Sequence, residues 1–288
     1  MSSAARRAVE HVAARSAGKP VDAALRVTLN FHPDRGEPSI LESLASAGVY
    51  RSQFVTGTSN GGLTAYPGGD RWRWESRIFG GAYDDAAPEE RPVYGALNFR
   101  GSVVGAAPRF GSAYFVLGAE SLGRATFCYP DSFREPEDFG VAAAMDLIRV
   151  ALADSTADAL DDYIEAQVHG PVRLDADVEA LVLDPCYQGT EVEELAGKLP
   201  CRVQWHPGFR AEPGGDGALS GLPWAGDHRA GPADRATRPA DPARDRQSRG
   251  DREARSAGAQ AGVALPGAFR GTAAVISLSR AQLGSPLR

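Results

Sequence analysis

Tyr163-Ile164-Glu165-Ala166-Gln167-Val168-His169-Gly170 alternates apolar and polar side chains from Ile164 to His169. A period of two is that of a β-strand, with Glu165, Gln167 and His169 on one face and Ile164, Ala166 and Val168 on the other. The polar face is therefore expected to be wet or to line a cleft. Gly170 closes the run and allows a ligand or another backbone to come close.

Leu25-Arg26-Val27-Thr28-Leu29-Asn30-Phe31 has the same alternation and predicts a half-buried strand, with Arg26, Thr28 and Asn30 on its polar side. It stops at His32-Pro33-Asp34-Arg35-Gly36, where Pro33 has no amide hydrogen to give to a ladder. Further strands are expected at 93–99, 113–117, 124–129, 178–183 and 202–205. Ser39 and Glu42 are spaced as a capping box ahead of a helix to Ala47. Val141, Met145, Ile148 and Leu152 suggest an amphipathic helix over 139–153, and 191–199 reads as a helix or turn. Tyr50 to Tyr83, with its Gly, Ser, Asn and Trp residues, reads as long loops surrounding a site. This order implies an α+β fold with a mixed or split sheet and a few flanking helices. Neither a G-x-G-x-x-G after the first strand nor a P-loop is present, so dinucleotide-fold and P-loop readings have no motif behind them.

The chain divides into a short N-terminal helix within 1–19, an α+β domain over 20–210, and a tail over 211–288. Between Ala225 and Gly262 the tail has no Val, Leu, Ile, Met, Phe, Tyr or Trp, so it cannot bury enough apolar surface to offset its ordering entropy. Two origins compete: a disordered extension, or a frameshifted reading of a GC-rich gene. Trp205-His206-Pro207-Gly208-Phe209 looks like the middle of an ordered element, which favours the frameshift.

The 288 residues are 43% apolar, enough for one large domain or for two small ones. A net charge of −6 gives no support for nucleic-acid binding, which depends on local positive charge. Cys128, Cys186 and Cys201 form no C-x-x-C pair. The first 19 residues lack the apolar core of a signal peptide, and no apolar run reaches the roughly 18 residues of a membrane span. The expectation is a cytoplasmic protein with a small-molecule or protein substrate, no nucleic acid and no membrane. Its oligomeric state stays open.

Glu165 and His32 are the candidate catalytic groups: a carboxylate on a rigid strand, and an imidazole at a strand end beside a loop. Arg26, Ser59, Asn60, Tyr94, Gln167 and His169 are the candidate cofactor-binding residues. Arg26 suits an anion, Ser59 and Asn60 offer donors, and Tyr94 a stacking surface. Glu179 is the rival carboxylate, and Asp34, Asp70 and Asp131 stand in turns. His32, Asp34, His169 and His206 would have to converge in space to bind a metal. No H-E-x-x-H points to that, and the spacing singles out no metal ligand.

Thr28–Arg35, Ser52–Thr64, Phe79–Tyr83, Arg91–Asn98 and Tyr163–Gly170 resemble a bacterial family of unknown function, number 3626 in the domain-of-unknown-function series, over about residues 20–210. Members of that family look as though they continue with an ordered part after Trp205–Phe209. The order of an Arg/His-bearing strand, a Tyr-Gly segment, a hydroxyl-bearing strand and a glutamate strand also resembles the ADP-ribosyltransferase superfamily. That resemblance implies NAD as substrate, His32 or Arg26 on its ribose or phosphate, and Tyr94 on nicotinamide. Thr126 would be the middle-strand hydroxyl and Glu165 the glutamate at the ribose. It predicts a cleft bounded by strands 25–31 and 163–169 with Ser59 and Asn60 near its mouth. Two other readings stand beside it: a metal-dependent hydrolase using His32, Asp34 and His169, and a non-catalytic protein-binding module whose contact surface includes Trp72 and Trp74.

Overall fold

The computed structural model describes residues 1–36, 38–57, 63–155, 158 and 160–209. Ser59, Asn60 and the whole tail over 211–288, with its expected disorder or frameshift, lie outside the described residues.

Ten strands occur among the described residues: β1 (Val27–Phe31), β2 (Val49–Tyr50), β3 (Val93–Leu97), β4 (Ala113–Leu117), β5 (Ala125–Tyr129), β6 (Asp138–Val141), β7 (Ile164–Val168), β8 (Val172–Arg173), β9 (Val178–Leu183) and β10 (Arg202–Trp205). Eight form one mixed sheet in the order β10-β9-β4-β1-β3-β7-β5-β6, and β2 pairs with β8 in a separate two-stranded ribbon. In the large sheet only β9 and β10 run parallel. The helices are α1 (Ser3–Ala13), α2 (Ile40–Ala47), α3 (Gln53–Thr56), α4 (Asp70–Ile78), α5 (Leu147–Ala153) and α6 (Glu191–Ala196). The fold is α+β.

One sheet face is apolar. Val27, Leu29 and Phe31 of β1 share a core with Phe115, Leu117, Phe127, Ile164, Val168, Leu181 and Leu183. Leu41 and Leu44 of α2, Leu147 of α5 and Leu195 of α6 cover it. The Ser39–Glu42 capping box starts α2 as its spacing predicts. Phe31 and Phe115 stack at 5.1 Å between centroids. Each such buried side chain stabilises by about 1.5–3 kcal/mol.

The opposite face departs from expectation. β1 was expected to be half-buried, yet all five of its residues are buried, as are those of β7. On β1 the polar side is roofed by the segment 104–111. Asn30 donates to the carbonyls of Val104 and Gly111 and accepts from the Ala107 N–H, and Thr28 accepts from the Ala106 N–H. Over β5 and β6 the roof is helical. Ala4, Ala5, Ala8 and Val12 of α1 and Trp74 and Ile78 of α4 pack with Phe79, Tyr83, Cys128, Phe139 and Val141.

Two expected elements are corrected. The 70–78 stretch, which its glycine-rich surroundings suggest is a loop, is helix α4. It buries Arg71, Trp74, Glu75 and Ile78, a spacing of i, i+3, i+4 and i+7. Two of those four residues are charged, which hid the helical face from a count of apolar positions. The helix expected over 139–153 is confined to Leu147–Ala153. Phe139 and Val141 fit a period of two equally well, and in β6 they bury against α1, while Leu152 is 62% exposed.

Candidate functional site

The ladder registers place Thr28 of β1 opposite Ala96 of β3, Ala96 opposite Glu165 of β7, and Glu165 opposite Cys128 of β5. Thr28 and Glu165 are thus two strand spacings apart, about 10 Å. The cleft lies above the strand between them. Thr28, Asn30, Tyr50, Gln53, Arg71 and Tyr94 line one part of it, and Phe110, Asp131, Ser132, Phe133, Tyr163 and Glu165 another. It encloses about 80 Å³, room for several waters or the reacting end of a ligand.

Glu165 is 7% exposed and is held on both oxygens. Its Oε2 accepts from the Ser132 N–H at 3.2 Å and the Ser132 hydroxyl at 2.8 Å, and its Oε1 from Gln167 Nε2 at 2.9 Å. Burial pushes the carboxyl above its ordinary range, opposed first by the Arg71 charge and then by the Ser132 and Gln167 hydrogen bonds. Arg71, buried on α4, donates to Ser132 Oγ at 2.7 Å and lies 4.0 Å over the Tyr94 ring. Tyr94 donates to Glu75 Oε1. Glu75 is fully buried and pairs with Arg91 at 2.6 Å. Burial raises its carboxyl to about 7 in spite of that partner. Arg91 also donates to the Tyr83 carbonyl. Two arginines and two carboxylates are therefore locked into one buried network whose outer edge is the cleft.

Three lining residues each keep a buried polar atom with no hydrogen-bond partner: Arg71 Nε, Gln53 Oε1 and Asp131 Oδ1. Such atoms are costly to bury unpaired. A ligand that offers both a donor and an acceptor would satisfy them.

Of the residues expected to form the site, Glu165 and Tyr94 line the cleft and His32, Arg26, Gln167 and His169 do not. His32 is half-buried beyond the end of β1, with its pKa lowered by burial and by the charge of Arg35. The Arg26 guanidinium is engaged by Glu179 at 2.8 Å and by the carbonyls of Ala23, Ala24 and Leu25. Gln167 and His169 are 1% and 0% exposed, and the His169 ring packs against Phe79 and Tyr83. Trp74, expected on a loop surface, is buried against Phe79 and Tyr94. Its removal would therefore disturb the core as well as any contact surface.

Among the described residues no group of three or more His, Cys, Asp and Glu side chains is placed to hold a metal ion. The His169 ring nitrogens face Tyr83 and Thr126, and those of His206 face the Ser112 carbonyl and the Gly208 N–H. Among the described residues no helix is long and apolar enough to cross a membrane.

Sequence reasoning missed Arg71, Glu75, Arg91 and Ser132. The first two had a signal, the helical spacing with Trp74 and Ile78. Ser132 had a weaker one, its place in the turn that leaves a strand end. Arg91 had none.

A protein-family model described as "Protein of unknown function (DUF3626)" matches residues 26–158 and 152–213 of the chain. No curated protein matches it.

Proposed function

The chain belongs to the DUF3626 family, and we propose that it uses the cleft around Glu165 to act on the bond between nicotinamide and ribose in NAD. In that reaction the ribose C1′–N bond breaks, and its electron pair leaves with nicotinamide. The oxocarbenium-like ribose is then attacked by an acceptor or by water, which gives up a proton.

The observation that supports this most is the fixed setting of Glu165. Ser132 N–H, Ser132 Oγ and Gln167 Nε2 hold its carboxylate at the cleft wall. A negative charge oriented before the reaction stabilises a developing cation without reorganising at the transition state. Burial raises the pKa of that carboxyl, and the Arg71 charge opposes the rise, as do the Ser132 and Gln167 hydrogen bonds. The aromatic lining of Tyr50, Tyr94, Phe110, Phe133 and Tyr163 suits a planar ring. The unpartnered Arg71 Nε, Gln53 Oε1 and Asp131 Oδ1 suit a neutral group with both donors and acceptors, such as a carboxamide or sugar hydroxyls. His32 has no part in this reading, because it does not line the cleft.

The test is nicotinamide release from NAD by the full chain and by Glu165→Gln, with thermal unfolding run on both to establish that each is folded. The variant should be slower by on the order of 100-fold or more. Equal rates, or no release by the folded wild type, would overturn the proposal.

A further inference from the structure

Glu165 stands at one end of a buried run of hydrogen bonds. Gln167 Nε2 donates to Glu165 Oε1 at 2.9 Å and approaches Cys128 Sγ at 3.4 Å, which uses both amide hydrogens. Gln167 Oε1 accepts from the Thr126 hydroxyl at 2.9 Å. Thr126 Oγ1 is also 2.9 Å from His169 Nε2, and His169 Nδ1 is 2.7 Å from the Tyr83 hydroxyl. Thr126, Gln167 and His169 are each at most 1% exposed, so water offers them no alternative partners.

The direction of this run follows from counting hydrogens. An ionised Glu165 accepts only, so Gln167 must turn its NH₂ toward it and its carbonyl toward Thr126. Thr126 has one hydroxyl hydrogen and gives it to that carbonyl. The contact with His169 Nε2 is then a bond in which the histidine donates. With Nε2 protonated and the ring neutral, Nδ1 is the acceptor and takes the Tyr83 hydrogen. The reverse order would set the Gln167 carbonyl against a carboxylate, acceptor facing acceptor. The neutral ring agrees with its surroundings: burial disfavours an imidazolium, and so does the positive charge of Arg124, which donates to the His169 carbonyl at 2.7 Å.

We infer that His169 is a neutral Nε2–H imidazole which, through Thr126 and Gln167, fixes the amide that holds Glu165 in place, and is thus a positioning residue and not a ligand contact. The importance of that placement rests on the reading of Glu165 given above. A broken link would free Gln167 to turn. Glu165 would lose a donor to its charged form and bind a proton more readily.

Two measurements on the full chain test this. In ¹⁵N-histidine-labelled wild type at pH 7, long-range proton–nitrogen correlation should show His169 with a protonated Nε2 and an unprotonated Nδ1. An Nδ1–H tautomer or an imidazolium would overturn the inference, and this readout needs no substitution. The second follows the Glu165 carboxyl by carbon NMR in wild type, Thr126→Val and Thr126→Ser. Thr126→Val should raise the proton affinity of Glu165 by about tenfold, and Thr126→Ser should bring it back to the wild-type value. A Thr126 that only packs would lower thermal stability when changed to Val and leave the Glu165 midpoint where it was, which would also overturn the inference. Neither measurement involves NAD, so the hydrogen-bond relay and the proposed reaction can fail independently.

Discussion

Ser132 gives both of its hydrogens to one atom of Glu165: its backbone N–H at 3.2 Å and its hydroxyl at 2.8 Å both reach Oε2. The same hydroxyl oxygen accepts from Arg71 Nη1. One small side chain thus joins a buried cation to a buried anion that it also orients. Ser132→Ala keeps the backbone donor and removes the bridge. It takes from Arg71 Nη1 and from Glu165 Oε2 the hydroxyl partner that each has in Ser132. The expected loss of folding stability is about 1–3 kcal/mol, read from the urea midpoint at an unchanged m-value. The Glu165 carboxyl should titrate higher as well. A variant as stable as wild type would show that the bridge contributes no net stability.

Asn30 makes a comparable connection on β1. Its amide donates to two carbonyls of the overlying segment, Val104 and Gly111, and its oxygen accepts from Ala107 N–H. The segment lies so close that a Cβ on Gly111 would fall 2.0 Å from the Phe31 carbonyl, and one on Gly105 would fall 2.5 Å from Asn30 Oδ1. Asn30→Asp keeps the shape but turns two donated hydrogens into acceptor-to-acceptor contacts. It should cost about 2–4 kcal/mol and speed hydrogen exchange at the Ala106 and Ala107 amides. Unchanged exchange there would show that the roof is held by something other than Asn30.

The two segments that decided the fold were legible in the sequence because their apolar residues recur every second position. Val27, Leu29 and Phe31, and Ile164, Ala166 and Val168, all turn to the apolar core as that period requires. Period alone does not say what covers the other side. Thr28, Asn30, Gln167 and His169 look like a wet face in a one-dimensional pattern. They are buried because each finds a partner from a distant part of the chain, as Asn30 does across 74 and 81 residues. Helix α4 escaped for the same reason: Arg71 and Glu75 turn inward to meet Ser132 and Arg91, and only a three-dimensional arrangement pairs them. Of the candidate site, Glu165 and Tyr94 were legible as polar or aromatic residues on predicted strands. The cation and the serine that set the carboxylate were not.

His169 gives a pH dependence whose sign is definite. Burial, aided by the Arg124 charge, lowers its pKa from 6.5 to about 3. Between those values the unfolded chain takes up a proton that the folded chain refuses. The contribution is therefore fully present above pH 6.5 and is lost progressively as pH falls toward 3. From pH 6.5 to 5 the loss is about 2 kcal/mol. Glu75 acts oppositely over much of the same range. Its folded carboxyl is raised to about 7 from 4.5, so acidification through that window favours the folded state and masks part of the histidine effect. Comparison with His169→Gln separates the two, since the variant keeps Glu75 and an amide hydrogen for Thr126 but has no ring to titrate. Urea unfolding at pH 7 and pH 5 should show wild type losing about 2 kcal/mol relative to the variant. Parallel stability changes in the two proteins would mean that the fold accommodates a protonated His169. The buried ring would then not be the neutral donor to Thr126 that the hydrogen-bond directions require.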